Sequence, residues 1–334
     1  MRGLSALSIA TAVGAMGCGP IVIDAIDVPD AAVESLYIDR CPADPAKTQP
    51  GVCGCGIPDD DFDGDTTVDC IEACPDNPAR TEPAGACGCS SLADDAACTA
   101  LRAALRNLYT FNGVGRAIVD ATGGRNGRVL HALDTISLEQ LDPLQMNGRL
   151  NLDGSGSYVE LPAGLLAGLV SATFEVWMTW RGGAFWTRVF DFGSDDGGDQ
   201  PSGETYLFLT PSNGTNGALR AAISAASVEG EVVAEGEAAL PVAGNLNGAP
   251  EHVAVVVDEA TSSLQLYAAG ALLGSAQLMT RLTAVDDVND WLGRSNYRLD
   301  PPLYGSLIEF RIYERALTAE QIRVSYLAGP GALD

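Results

Sequence analysis

Beyond Thr99 the sequence contains no cysteine, and its 334 residues include only two histidines and 19 basic residues against 44 acidic ones. Each shortage closes off a class of function. A formal charge of -25 repels phosphate backbones and anionic lipid head groups, because binding to either rests on Lys and Arg displacing counterions. Nucleic acid is thereby excluded as a partner. His131 and His252 are the whole histidine complement, so a metallohydrolase centre built on several histidines is absent. The glycine-rich run GVGRAIVDATGGRNG (113–127) lacks the Lys-Ser/Thr that completes a phosphate loop. No strand offers the alternating acids, Glu-x-Asp-x-Glu, with which a glycosidase flanks a scissile bond, and the cluster Glu229, Glu231, Glu235 and Glu237 in an alanine- and glycine-rich stretch reads as a solvated hairpin or loop. Past residue 17 no apolar run approaches the ~20 residues that cross a bilayer.

What is present divides the chain in two. All nine cysteines (18, 41, 53, 55, 70, 74, 87, 89 and 98) lie in the first third. Residues 19–100 carry 17 acids and 3 bases, and residues 101–334 carry 27 and 15. A single core rarely grows past ~250 residues, so a small module followed by one large domain is the expected organisation: 1–17 a signal peptide, 18–40 a tether, 41–100 a disulfide-rich stalk, 101–334 a β domain.

Residues 1–17 place Arg2 before a small, apolar run ending Ala15-Met16-Gly17-Cys18, the pattern of an exported chain. The junction resembles a bacterial lipobox, which implies acylation of Cys18 and an outer-membrane or cell-surface address; Ala15 and Met16 depart from the usual residues, and ordinary cleavage giving a secreted chain is the alternative. Removing Cys18 leaves eight cysteines, an even set suited to disulfides in an oxidising compartment.

Residues 41–55 (CPADPAKTQPGVCGC) and 74–89 (CPDNPARTEPAGACGC) are an internal duplication. Such proline and glycine density builds no ordinary core, so Cys41, Cys53, Cys55, Cys70, Cys74, Cys87, Cys89 and Cys98 are expected to staple it as disulfides. The Cys-x-Cys pairs as zinc ligands are the alternative, without the usual Cys-x2-Cys spacing. Between the copies, Asp61, Asp63, Asp65, Asp69 and Glu72 occupy positions 1, 3, 5, 9 and 12 of a cation loop, with the Thr67 carbonyl at position 7. Thr66 stands at position 6, where such loops carry glycine. A merely solvated acidic loop is the alternative to a calcium site. These D-x-D-x-D and C-P phrases resemble thrombospondin type 3 repeats over about residues 41–90, and that resemblance implies a stalk stiffened by calcium.

A helical stretch within residues 90–111 leads to a first strand near Leu108. From there segments such as ATFEVWMTWR, TYLFLT and HVAVVVD alternate with Gly, Asn, Asp and Pro clusters, the pattern of an antiparallel sandwich. Thr318 and Gln321 have the spacing of a helix-capping box. YTFNGVGRAIVDATGG (109–124), LDGSGSYVELP (152–162), TFEVWMTW (173–180), EHVAVVVD (251–258), LQLYAAG (264–270) and GSLIEFRIYERALTAEQI (305–322) resemble, in order, the laminin G-like and concanavalin A-like jelly rolls. The fold expected is therefore all-β, an antiparallel jelly-roll sandwich preceded by a small disulfide-rich, calcium-binding irregular module. The resemblance implies a second calcium at Asp120 and Glu309; pairing of Glu309 with Arg311 or Arg315 is the alternative. Of the tryptophans that suit a sugar platform, Trp177 reads as core, whereas Trp186, in GGAFWTR, reads as an exposed aromatic. The function these features imply is a non-catalytic surface module that binds an extracellular glycan or protein through loops at one rim. A structural spacer and a divergent glycosidase or lyase are the alternatives.

Overall fold

The computed structural model describes residues 39–72, 95–113, 115–132, 145 and 148–333. Cys18, the second repeat copy with Cys74, Cys87 and Cys89, and the amino-terminal leader lie outside the described residues. The chain divides into two compact units, residues 1–58 and 59–334.

In the first unit the repeat phrase folds around two side chains. Cys41 and Cys55 form a disulfide, and Cys53 is also disulfide-bonded. The Asp44 carboxylate accepts from the Ala46 and Gly56 amides at 3.0 and 2.8 Å, which holds its pKa below the ordinary value, the Gly56 bond first. Lys47 donates from Nζ to the carbonyls of Pro50, Gly54 and Ile57 at 3.1, 3.0 and 2.6 Å. A loop too short for a core is thus organised by one carboxylate collecting amides and one ammonium collecting carbonyls.

The second unit is a sandwich of two antiparallel sheets. Helix α1 (Asp95–Ala104) leads directly into β1 (Leu105–Tyr109). One sheet contains β1, β15 (Tyr304–Tyr313), β6 (Ala172–Trp180), β11 (Glu251–Asp258), β12 (Ser263–Ala268) and β13 (Ala271–Gln277), with β4 (Leu150–Asp153) beside the first half of β15. The other runs β10 (Val232–Glu235), β9 (Arg220–Ser224), β8 (Gly203–Thr210), β7 (Phe190–Asp195), β14 (Asn289–Leu292), β5 (Ser157–Leu161), β3 (Gly127–His131), β2 (Ala117–Ile118). This is the expected all-β jelly roll.

The near-continuous apolar runs of β6 and β11 follow from burial on both faces. Phe174, Val176, Met178, Val253, Val255 and Val257 point into the core between the sheets. Ala254, Val256, Tyr267 and Tyr313 point the other way, where α1 and α2 (Ala319–Ala328) cover the seven-stranded sheet through Leu101, Ala104 and Ile322. Helix α2 starts with the expected capping box: Thr318 accepts from the Gln321 amide at 3.2 Å and Gln321 returns the bond at 2.9 Å. Cys98 of α1 is disulfide-bonded and buried in this second cluster, so the helix packs with the sandwich.

Between sheet and helices lies a buried charged network. Glu175 accepts from His252 Nε2 at 2.8 Å, from Arg311 Nη1 at 3.3 Å and from the Tyr313 and Ser325 hydroxyls, both at 2.8 Å. The Arg311 guanidinium stacks 4.2 Å from the Trp177 ring. Trp177 and His252 are therefore structural. Among the described residues, no helix packs on the outer face of the eight-stranded sheet.

Candidate functional site

That face carries Tyr206 and Phe208 on β8, Ala222 on β9 and Val233 on β10, packed as a small cluster with Tyr297 from the β14–β15 connection. Trp186 approaches from the β6–β7 connection. Its backbone sits at φ 67°, an uncommon conformation for a bulky residue and one that marks functional turns. Its amide donates to the Ser212 carbonyl at 3.0 Å. A Cβ on Gly214 would lie 2.3 Å from the indole nitrogen, so the missing side chain at Gly214 is what lets the ring rest on loop 212–217.

The result is a cleft of about 220 Å³ lined by Trp186, Arg188, Phe208, Glu231, Tyr297 and Asp300, with Val228 at its edge. Arg188 is its hub. The guanidinium stacks 3.9 Å from the Phe208 centroid and 5.7 Å from that of Trp186. It donates to the Trp186 carbonyl at 2.7 Å and pairs with Asp300 at 2.9 Å and Asp191 at 3.4 Å. Arg220, on β9 two strands away, repeats the arrangement, 5.4 Å from Trp186 and paired with Glu235 at 3.0 Å and Glu231 at 3.6 Å. Glu231 also accepts from the Tyr206 hydroxyl at 2.9 Å. Burial pushes up the Asp300 and Asp191 carboxyls, with Arg188 opposing it in both. Fixed aromatic faces flanked by pre-oriented planar donors and acceptors can stack an apolar sugar face and bond its hydroxyls.

Trp186 lines this cleft, half-buried, and Phe185 beside it is 54% exposed. Glu231 and Glu235, expected in a solvated hairpin or loop, flank and end β10, an edge strand paired to β9. The cleft lies over a sheet face, and Trp186, Tyr297 and Asp300 reach it from loops. The alternation of Tyr206 and Phe208 in TYLFLT was the signal available for that face.

Asp120 and Glu309 are each held by hydrogen-bond donors of the fold. Asp120 accepts from Asn107 Nδ2 at 2.8 Å, the Leu108 amide at 3.0 Å and the Thr122 hydroxyl at 2.7 Å. Glu309 accepts from Arg311 Nε and, at 2.6 Å, from the Gly331 amide. Of the two readings of Glu309, the ion pair with Arg311 is the one the structure holds. Both residues are buried, and neither faces the cleft cavity.

The loop Asp61–Glu72 is arranged differently. Asp61, Asp63 and Asp65 bring ligand oxygens within 4.8 Å of one another. Asp61 accepts from the Gly64 and Thr66 amides at 2.8 and 2.9 Å, and Asp63 and Asp65 each use one oxygen on an amide two residues on. Their second oxygens, and both oxygens of the buried Glu72, have no hydrogen-bond donor. Burial, then Asp65, Asp63, Asp61 and Asp69, push the Glu72 carboxyl above its usual range. Asp69 holds the loop shut, its carboxylate accepting from the Phe62 amide at 3.0 Å and its own amide bonding the Asp60 carbonyl at 2.8 Å. Thr66, at the position where a glycine was expected, takes φ 83°, the left-handed conformation that glycine would supply. Converging orphan carboxylate oxygens are the donor set a hard cation such as calcium requires.

Residues 153–323 match the concanavalin A-like lectin/glucanases superfamily. The chain belongs to that superfamily. Among solved structures, this concanavalin A-like chain is similar to domain 4 of AbnA, a GH43 extracellular arabinanase from Geobacillus stearothermophilus, in complex with arabinotriose. The TM-score is 0.49 at 22% identity, covering 66% of this chain and 96% of that one. It is similar also to the CBM40 of Ruminococcus gnavus IT-sialidase bound to α2,3-sialyllactose, with TM-score 0.41, 15% identity, and coverage of 55% and 96%. A third is Trypanosoma rangeli sialidase in complex with sialic acid, with TM-score 0.48 and 15% identity; 69% of this chain matches 34% of that protein's length. Comparison with curated proteins gave no match.

Proposed function

We propose that the sandwich is a non-catalytic glycan-binding module whose ligand lies in the Trp186 cleft. The observation that carries this reading is Trp186 itself, held at φ 67° over a cavity whose other walls are aromatic rings and arginine–carboxylate pairs. A half-buried ring at the cleft wall, maintained at a backbone cost, suits stacking on a saccharide. A glycosidase needs a protonated acid and a second, available carboxylate. Asp300 has the raised pKa of the first, but Glu231 is engaged by Arg220 and the Tyr206 hydroxyl, which favours binding without turnover. A glycan array probed with the full chain tests the reading. Retention of defined glycans that Trp186→Ala abolishes supports it; a blank array, or binding indifferent to Trp186, refutes it.

The same proposal makes the loop Asp61–Glu72 a calcium site, with Asp61, Asp63, Asp65 and Glu72 as carboxylate ligands, the Thr67 carbonyl beside them, and Asp69 closing the loop. The bound ion neutralises carboxylates that otherwise repel one another and so fixes the loop's shape. The Cys41–Cys55 disulfide suits an exported, oxidising address, and display at a cell surface through Cys18 completes the proposal. A calorimetric titration of the chain with calcium, showing no heat and no thermal shift, would remove the cation site.

A further inference from the structure

A second cavity, of about 350 Å³, adjoins the cleft and shares Tyr297 and Asp300 with it. Its remaining walls include Ser155 and Gly156 from the β4–β5 turn and Arg294, Ser295 and Arg298 from the β14–β15 connection. The charge balance here is unlike that of the cleft. In the cleft each guanidinium is matched by carboxylates. Among the described residues neither Arg294 nor Arg298 forms a salt bridge, and Asp300, the carboxylate of this cavity's wall, is already committed to Arg188 at 2.9 Å and to the Ser295 hydroxyl at 2.8 Å. Arg294 is also pre-organised. Its guanidinium lies 4.2 Å from the Trp291 centroid and 4.6 Å from that of Tyr158, packed on aromatic faces. A planar, fixed guanidinium is the group that recognises a carboxylate or sulfate by paired hydrogen bonds.

Resting on the glycan reading above, we infer that the two cavities are one groove for an anionic oligosaccharide, a neutral residue stacking at Trp186 and a carboxylate- or sulfate-bearing residue meeting Arg294 and Arg298. The walls reach from Phe208 on β8, with Glu231 just before β10, to Ser155, Gly156 and Ala132 beside the ends of β5 and β3. Four strand steps separate β8 from β3, roughly 19 Å at ~4.8 Å per step, a span for an oligomer and not a single sugar. A chain of net charge -25 repels polyanions at long range, so two unmatched arginines in one concavity give selectivity for acidic ligands at close range.

The test is an array carrying neutral, uronate-bearing and sulfated oligosaccharides, probed with the full chain, with Arg298→Gln, and with the Arg294→Gln/Arg298→Gln double variant, each checked for an unchanged melt. The expected result is a bound set enriched in uronate or sulfated members, at least tenfold weakened in the double variant and severalfold in Arg298→Gln, while any neutral binding persists; uronate against sulfate members identify the anion. Binding confined to neutral glycans, or acidic binding indifferent to both arginines, overturns the inference and leaves the glycan reading standing. An array with no bound glycan overturns both.

Discussion

Trp186 keeps its place by two devices, a left-handed backbone at φ 67° and a neighbouring Gly214 with no side chain. Gly214→Ala would drive a methyl group into the indole, so it should swing the ring out of the cleft and weaken glycan binding by at least tenfold, with the melting temperature nearly unchanged; paired binding and thermal measurements check this. Asp290 offers a residue-scale test of another kind. Burial, reinforced by Asp287, raises its carboxyl to about 8, while one oxygen accepts from the Leu165 amide at 3.1 Å and the other has no partner. A carboxyl whose folded pKa is raised contributes its stability below the unfolded pKa and loses it as pH rises through the folded value. From about pH 4 to about 8 the protein should therefore lose up to ~1.4 kcal/mol per pH unit relative to Asp290→Asn, with the gap constant above that window. Denaturant melts of the two proteins at pH 5, 7 and 9 give the comparison.

At the scale of elements, strands β6 and β11 of the seven-stranded sheet were legible because both of their faces are buried and their sequences are largely apolar. The cap of α2 was legible because Thr318 and Gln321 satisfy orphan amides wherever they stand three apart. Strands β10 and β13 were not, for a physical reason: both are edge strands, and β13 is largely exposed along its length, so backbone pairing holds them without the alternation that reveals a strand. The buried network below α2 was equally hidden, since Glu175 and Arg311 lie 136 residues apart and meet only in the folded sheet. Burial raises the Glu175 carboxyl, but His252 and Arg311 outweigh it and hold the pKa below its ordinary value. Glu175→Gln should cost about 3–5 kcal/mol, the loss expected when one partner of a buried pair is removed, with the deficit shrinking as pH falls below the usual carboxylate range. Urea denaturation across pH 3–7 measures it. In the cation loop, Thr66 holds a conformation that costs an L-residue about 1–2 kcal/mol. Thr66→Gly should tighten calcium binding by roughly tenfold, the equivalent of ~1.4 kcal/mol, and Glu72→Gln should weaken it; titration calorimetry decides both.

For the whole molecule, the sequence carried the jelly roll, because an ordered series of strand phrases is a feature of the chain itself. The cleft was only partly visible: Trp186 stood out in its glycine-rich setting, whereas Arg188, Tyr297 and Asp300 come together through the β14–β15 connection folding across the sheet. Among the described residues the helices pack on the seven-stranded sheet and not on the eight-stranded one. On the function proposed above, the eight-stranded sheet's outer face binds glycan through Trp186. Titration calorimetry of an oligosaccharide retained by the array, into the full chain and into Trp186→Ala at equal thermal stability, tests it most directly. Saturable heat is expected for the first and at least a tenfold loss of affinity for the second; equal affinity in the two proteins would refute glycan binding at Trp186.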